Sequence, residues 1–295
     1  MYTRRNDCFD EVIKLENKKP DNQPFTAVFD REDAPDAVGK SVSAAFNSHE
    51  WELFWSDEFD GDTLNTDVWT LEEGHGGLAY KCPENVKVEN GNCVLTVRRD
   101  NCPEGYAFTA PCINTSYKFS FQYGRLEFRA KLPYGEGVWP ALWTLSDYYS
   151  EMGDELGWPR GGEIDVMELV GMGAADEKDM HRDNKKIHAT LHWGADRDHH
   201  TESHSVYYLT EGAAADDYHI YAVEWDEEKI VWFVDDVAYK TVTLDDPTML
   251  GAFHQKHWII MGIGVADYEP YHPGEITPLP QSMYVDYVRV YKKKG

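Results

Sequence analysis

Gly162-Glu163-Ile164-Asp165-Val166-Met167-Glu168-Leu169 carries three acids separated by apolar side chains. On a helix of 3.6 residues per turn, Glu163 and Glu168 would point about 140° apart and build no common site. On a strand, Glu163 and Asp165 share a face because side chains alternate with a period of two. Glu168 then falls on the wrong face unless one extra residue is absorbed after Asp165. A β-bulge at Val166-Met167 absorbs it, and bulges are common beside active sites. The stretch therefore predicts a bulged strand with three acids on one face.

The flanking sequence repeats the strand signal. Val86 to Val97 is two β-rich runs around Asn90-Gly91, a strong hairpin signature. From Tyr123 to Leu132, Arg125, Glu127, Arg129 and Lys131 face one way, and Leu126, Phe128, Ala130 and Leu132 the other. Lys229 to Lys240 predicts a second hairpin turning at Asp235-Asp236, and Met283 to Tyr291 a final strand rich in Val and Tyr. With little helical periodicity between them, these runs predict an all-β chain of two packed antiparallel sheets. Residues 1–49 differ: Phe9 to Lys18 suits a short helix, followed by a stretch rich in Asp, Pro and Ala. We read 1–49 as an extension of illegible role and 50–295 as one domain, a size all-β domains reach alone.

Charge narrows the partners. With 53 acidic against 28 basic residues, the net charge is −25. That field repels nucleic acid and anionic lipid, while a neutral polymer is compatible with it. No apolar run is long enough to span a bilayer. Ten Trp and 18 Tyr exceed what an ordinary core needs, which suits a surface that stacks on sugar rings. The five cysteines form no C-x-x-C pair, so a zinc site is poorly supported; one disulfide among Cys82, Cys93, Cys102 and Cys112 stays open. No apolar stretch follows the basic start, so the expectation is a cytoplasmic protein if Met1 is the native start, or a secreted one with its signal removed otherwise. A monomer is expected.

On the bulged strand the Glu backbones would stand roughly 13 Å apart at about 3.3 Å per step. Their side chains can lean together to about 5–5.5 Å, the separation used by retaining glycosidases. Crowded carboxyls raise one another's pKa, as a general acid at neutral pH requires. The bland alternative is a solvated acidic strand. Trp139 and Trp143 lie four apart on one strand face and suit sugar platforms, with core packing as the alternative. Trp158, on the loop entering the acidic strand, is placed in the cleft. His192 is expected against the acid/base or the leaving sugar. Arg125 and Asn85 are candidates for bonding sugar hydroxyls. His199, His200 and His204 with Asp196 and Asp198 match no trusted zinc spacing and read as a polar loop.

Ordered motifs then resemble glycoside hydrolase family 16, in its laminarinase-like branch. They are Phe54-Trp55-Ser56-Asp57-Glu58-Phe59-Asp60-Gly61; Pro83-Glu84-Asn85-Val86; Tyr123-Gly124-Arg125-Leu126-Glu127; Gly137-Val138-Trp139-Pro140-Ala141-Leu142-Trp143; Gly157-Trp158-Pro159-Arg160-Gly161-Gly162-Glu163; Thr190-Leu191-His192-Trp193; and Val285-Asp286-Tyr287-Val288-Arg289-Val290-Tyr291. The likeness covers about residues 51 to 292. It implies a concanavalin-like jelly roll with a cleft across one sheet, and endo-acting double displacement on β-1,3-glucan, with mixed β-1,3/1,4-glucan as a further substrate. By position it implies Glu163 as nucleophile, Asp165 as helper and Glu168 as acid/base, with no catalytic cofactor. It also implies a structural Ca²⁺ held by Glu58, the Gly91 carbonyl and Asp286, solvated acids being the alternative. One departure stands out: Gly264-Val265-Ala266-Asp267-Tyr268-Glu269 replaces the family's Gly-Gly loop. A non-catalytic glucan-binding protein and a galactan hydrolase are the competing readings.

Overall fold

Asn90 and Gly91 take φ of 53° and 72°, the left-handed pair that a two-residue hairpin needs to match strand twist. They join β5 (Val86–Glu89) to β6 (Asn92–Val97). Asp235 and Asp236, at φ 49° and 60°, do the same for β15 (Lys229–Val234) and β16 (Val237–Thr243). Both hairpins stand where the sequence predicts them. The computed structural model describes residues 49–100, 102–174, 176–268 and 271–295. The extension, with the helix expected at Phe9 to Lys18 and with Cys8, lies outside the described residues except for His49.

Two antiparallel sheets carry the fold. The first runs β16-β15-β14-β9-β18-β6-β5, with β9 at Gly124–Lys131, β14 at His219–Trp225 and β18 at Gln281–Lys293. Strand β1 (Trp51–Asp57) also pairs with β18. The second runs β13-β12-β11-β10-β17-β8-β2. Its members are β2 (Thr70–Leu71), β8 (Cys112–Asn114), β10 (Val138–Ser146), β11 (Glu163–Glu168), β12 (Lys186–Gly194), β13 (His200–Tyr208) and β17 (His257–Val265). A small third sheet joins β3 (Gly74–Gly76), β4 (Ala79–Lys81) and β7 (Phe108–Ala110).

The core follows from alternation. Leu126, Phe128 and Ala130 of β9 and Val285, Val288 and Val290 of β18 meet Leu142, Ile164, Val166, Met167, Leu191, Ile259 and Met261 of the second sheet in one buried cluster. Every second residue of β10 then points outward, which sets Trp139, Ala141 and Trp143 on the outer face of the second sheet. The stretch from His199 to His204, expected as a loop, is mostly strand β13, because each residue from His200 finds a partner on β12. The four described cysteines are free thiols, which closes the open disulfide question for them. No helix among the described residues is long and apolar enough to cross a membrane.

Candidate active site

Strand β11 is bulged as its sequence requires. Against β12, Asp165 pairs with Thr190 and Glu168 with His188, so three steps on one strand answer two on the other. Against β10 the shift falls between Met167, opposite Leu142, and Asp165, opposite Trp143. Val166 and Met167 both turn into the core, and Glu163, Asp165 and Glu168 share the outer face.

A bulge interrupts the ladder and leaves backbone groups in need of partners. Here Trp232, fully buried on β15 of the opposite sheet, donates its indole N–H to the Asp165 carbonyl at 2.8 Å. Lys240 on β16, also buried, donates to the carbonyls of Ala189 (3.0 Å) and Ser203 while lying 4.5 Å from the Trp232 ring. Burial pushes this lysine down to about 7, and the Asp165 charge opposes that. The sheet carrying the acids is thus fastened from behind at the residue where it bends. Ahead of β11, a short helix α1 (Asp147–Gly157) delivers Trp158 and the Gly161-Gly162 pair. Gly162 sits at φ 77°, where a Cβ would stand 2.7 Å from Ala252 Cβ and 2.8 Å from the Phe253 ring. Only glycine lets the loop press that close and hand Glu163 to the strand.

Two indoles hold the outer acids. Trp158 Nε1 donates to Glu163 Oε2 at 2.6 Å, and Trp139 Nε1 donates to Glu168 Oε1 at 2.9 Å. Thr190 Oγ1 reaches Glu168 Oε2 at 3.4 Å. His192 stands opposite Glu163 in the ladder, and its Nε2 lies 3.2 Å from Asp165 Oδ2. The two make no hydrogen bond, and that oxygen has no hydrogen-bond partner. His192, expected against the acid/base or the leaving sugar, lies on the acid face in contact with Asp165, and its field also reaches Glu168.

Burial dominates the electrostatics. Glu163 is raised well above the ordinary carboxylate range, first by desolvation and then by the Asp165 charge; His192 and the Trp158 bond pull the other way. Asp165 is raised well too, by burial and then by Glu168. Glu168 is raised by burial, with His192, Trp139 and Thr190 opposing. Burial and mutual repulsion make each of the three carboxyls hold its proton more tightly than a free acid does. Such a group can offer one carboxylate and one carboxylic acid at once, the pairing that glycosidic bond cleavage uses.

Of the other expected site residues, Trp143 lies partly buried directly across from Asp165, among Leu145, Trp258 and Ile260. Trp158 meets the acids through its N–H, while His200 (4.8 Å) and Arg197 (5.0 Å) pack on its ring. Trp225 is buried with its N–H on the Phe253 carbonyl. Three expectations fail. Arg125 projects from the outer side of the first sheet, with the whole core between it and the acids. There it is 1% exposed and bonds Glu127, Glu224 and Asp236 at 2.7, 3.1 and 2.7 Å, a buried charge neutralised by three acids. Asn85 is turned inward, its amide donating to Thr109 Oγ1 at 3.0 Å.

The calcium set does not fit either. Glu58 is held bidentately by Arg289 (2.9 and 2.7 Å), and Asp286 bonds Arg129 at 2.6 Å. The arginines already balance the charge of both carboxylates, and that charge is what a Ca²⁺ cage draws on. At the position of the departing loop, Tyr268 sets its ring edge-on to Trp139, with centroids 6.1 Å apart. Thr190, Trp232, Lys240 and Tyr268 are contributors that the motif reading passed over. The period-two pairing of β12 against β11 would have found Thr190; Trp232 and Lys240 come from the opposite sheet and left no local signal.

The family model described as glycosyl hydrolases family 16 matches residues 79–288. A glucan endo-1,3-beta-glucosidase A1 of Niallia circulans is 33% identical over 92% of this chain, which spans 42% of that protein. A beta-glucanase of Rhodothermus marinus is 35% identical over 82% of this chain and 85% of its own. Among solved structures, the laminarinase catalytic domain from Thermotoga maritima superposes with a TM-score of 0.72 at 34% identity, covering 83% of this chain and all of that one. The bulged acidic strand, the two-sheet jelly roll and these matches agree: the chain belongs to glycosyl hydrolase family 16.

Proposed function

We propose that the domain is an endo-acting, retaining β-glucanase that cleaves β-1,3-glucan such as laminarin and, as a second substrate, mixed-linkage β-1,3/1,4-glucan. Glu163 is the nucleophile, Glu168 the acid/base and Asp165 the residue that positions them. The observation that carries the reading is the three-acid face bracketed by two indole donors, Trp158 on Glu163 and Trp139 on Glu168. In the first step Glu163 attacks the anomeric carbon, the glycosidic C–O bond breaks, and Glu168 gives its proton to the departing oxygen. In the second, Glu168 takes a proton from water, the water oxygen bonds the same carbon, and the Glu163 ester is released. Asp165 lies between the two glutamates on that face, and its charge raises the proton affinity of Glu163.

Trp139 and Trp143 rise from alternate positions of β10 and give the polymer apolar faces on which to lie. Tyr268 beside Trp139 shapes the neighbouring end of that surface. Calcium is no part of the proposal, given the arginine partners of Glu58 and Asp286. We place the domain as a monomer acting on polysaccharide.

The test is a product profile on laminarin, lichenan, barley glucan, agarose and carrageenan side by side. The expected result is oligosaccharides from laminarin, a smaller yield from the mixed-linkage glucans and none from the galactans. Cleavage confined to agarose or carrageenan, or laminarin binding without cleavage, would overturn the substrate assignment.

A further inference from the structure

His192 uses only one of its ring nitrogens on the acid cluster. Its Nε2 faces Asp165, while its Nδ1 faces away, toward the sheet edge, 2.9 Å from His200 Nε2 and 3.6 Å from Glu202 Oε2. The ladder explains the convergence. Glu202 is the direct cross-strand partner of His192, and His200, two residues earlier on the same face of β13, is its diagonal neighbour. Since β13 is the edge strand of its sheet, this face opens to solvent, and the Glu202 side chain is 47% exposed. One ligand atom from each residue lies within 4.8 Å of the others.

These separations suit a metal. Two donors about 2.0–2.1 Å from a tetrahedral Zn²⁺ stand roughly 3.3 Å apart, between the two distances observed. Two imidazoles and a carboxylate are also a donor set that zinc favours. Moreover, a metal-bound histidine ordinarily gives its other ring N–H to a carboxylate, which fixes the ring. Asp165 Oδ2, 3.2 Å from the second ring nitrogen and without a hydrogen-bond partner, is the acceptor that a small turn of the ring would reach.

We propose that His192, His200 and Glu202 form a Zn²⁺ site at the edge of the cleft, and that its occupation inhibits the acids beside it. Zinc replaces the proton shared by the two imidazoles, commits His192 to present N–H toward Asp165, and brings positive charge next to the acid cluster. Holding His200 also fixes the Trp158 ring it packs on, whose N–H positions Glu163, so the ion locks that side of the acid face. The inhibitory half rests on the hydrolase reading above; the binding half does not.

The test is calorimetric titration of the chelator-treated full chain with ZnCl₂, together with laminarin hydrolysis at each zinc level. One zinc per chain is expected, and Co²⁺ in its place should show the visible bands of a low-coordinate site. Glu202→Gln and His200→Ala should each weaken zinc binding by about tenfold or more. His204→Ala, which removes a ring paired with His188 at 2.8 Å and outside the set, should bind zinc as the wild type does. Zinc should depress wild-type hydrolysis and spare Glu202→Gln. Unchanged affinity in both ligand variants, or no binding below about 1 mM, would overturn the site. Binding through the three residues with hydrolysis unaffected would overturn the inhibition alone. A chain that hydrolyses no glucan yet binds zinc through them would leave the site standing and fail the hydrolase reading instead.

Discussion

Glu163→Gln is expected to slow laminarin cleavage by roughly 10⁴-fold or more, to keep glucan binding, and to make the protein more resistant to heat at neutral pH. The first effect follows from the proposed role of Glu163: a carboxylate oxygen can bond the anomeric carbon, and an amide does so poorly. The amide keeps the shape and can still accept the Trp158 N–H, so the substrate surface stays in place. The heat resistance follows from linkage. Burial and the Asp165 charge raise the Glu163 pKa in the folded state, whereas in the unfolded chain it titrates near 4.3, the ordinary glutamate value. As pH rises above that value the unfolded chain gives up its proton first, so wild-type stability falls with pH until the folded pKa is passed. A glutamine does not titrate, so this loss disappears. Melting curves should show the variant's Tm above the wild type at pH 7, with the gap closing toward pH 4. Wild-type hydrolysis by the variant would remove Glu163 from the mechanism. A Tm advantage that persisted unchanged to pH 4 would show that the stabilisation has another source.

Glu168→Ala is the second large effect, and its signature is selectivity. Loss of a general acid costs about 10²–10⁴-fold, but only where the leaving oxygen needs a proton. Laminarin, whose leaving group is a sugar alkoxide, should lose the full amount. An aryl β-glucoside with an activated phenol should still form the Glu163 ester and then stall, because no base remains to activate water. Azide needs no base, so it should restore turnover and yield a β-glycosyl azide through two inversions. Equal losses on laminarin and on the activated aryl substrate would contradict the acid/base role. The surroundings support the assignment: Glu168 is raised by burial, and Trp139 and Thr190 fix its two oxygens.

What the sequence made legible was whatever obeys local periodicity. The alternation of Arg125 to Leu132, the hairpin turns at Asn90-Gly91 and Asp235-Asp236, and the one-residue excess between Asp165 and Glu168 are each settled within a few residues by backbone geometry. The same alternation misled at Arg125. It showed correctly that Arg125 and Leu126 face opposite ways, but which sheet carried the residue depended on partners far along the chain. An arginine satisfied by Glu127, Glu224 and Asp236 reads, in sequence, like one waiting for a sugar. Glu58 and Asp286 failed for a related reason, since their arginine partners Arg289 and Arg129 lie on other strands. His200 was weighed with His199 and His204 and set aside as part of a polar loop, and Glu202 gave no signal of its own. Only pairing with β12 turns that stretch into a strand and brings both residues to His192.

The site is also costly, and the fold compensates from behind. An acid cluster on a bulge places repulsion and an interrupted ladder at one spot. Trp232 bonds the Asp165 carbonyl, and Lys240 bonds the carbonyls of Ala189 and Ser203 on the neighbouring strands. Both come from strands β15 and β16, so the opposite sheet helps to hold the shape on which the acids depend. Local conflict compensated by distant residues is what a functional position on an otherwise consistent fold should show.

The most direct measurement is the configuration of the product that Glu163→Gly makes from an activated β-glucosyl donor in azide. Removing the side chain opens the face of the anomeric carbon that Glu163 occupies, while Glu168 still serves the leaving group from the other side. Azide entering that space must invert the carbon, so NMR should show an α-glycosyl azide. A β-azide, or rescue only when Glu168 is the residue removed, would place the nucleophile elsewhere and contradict the account.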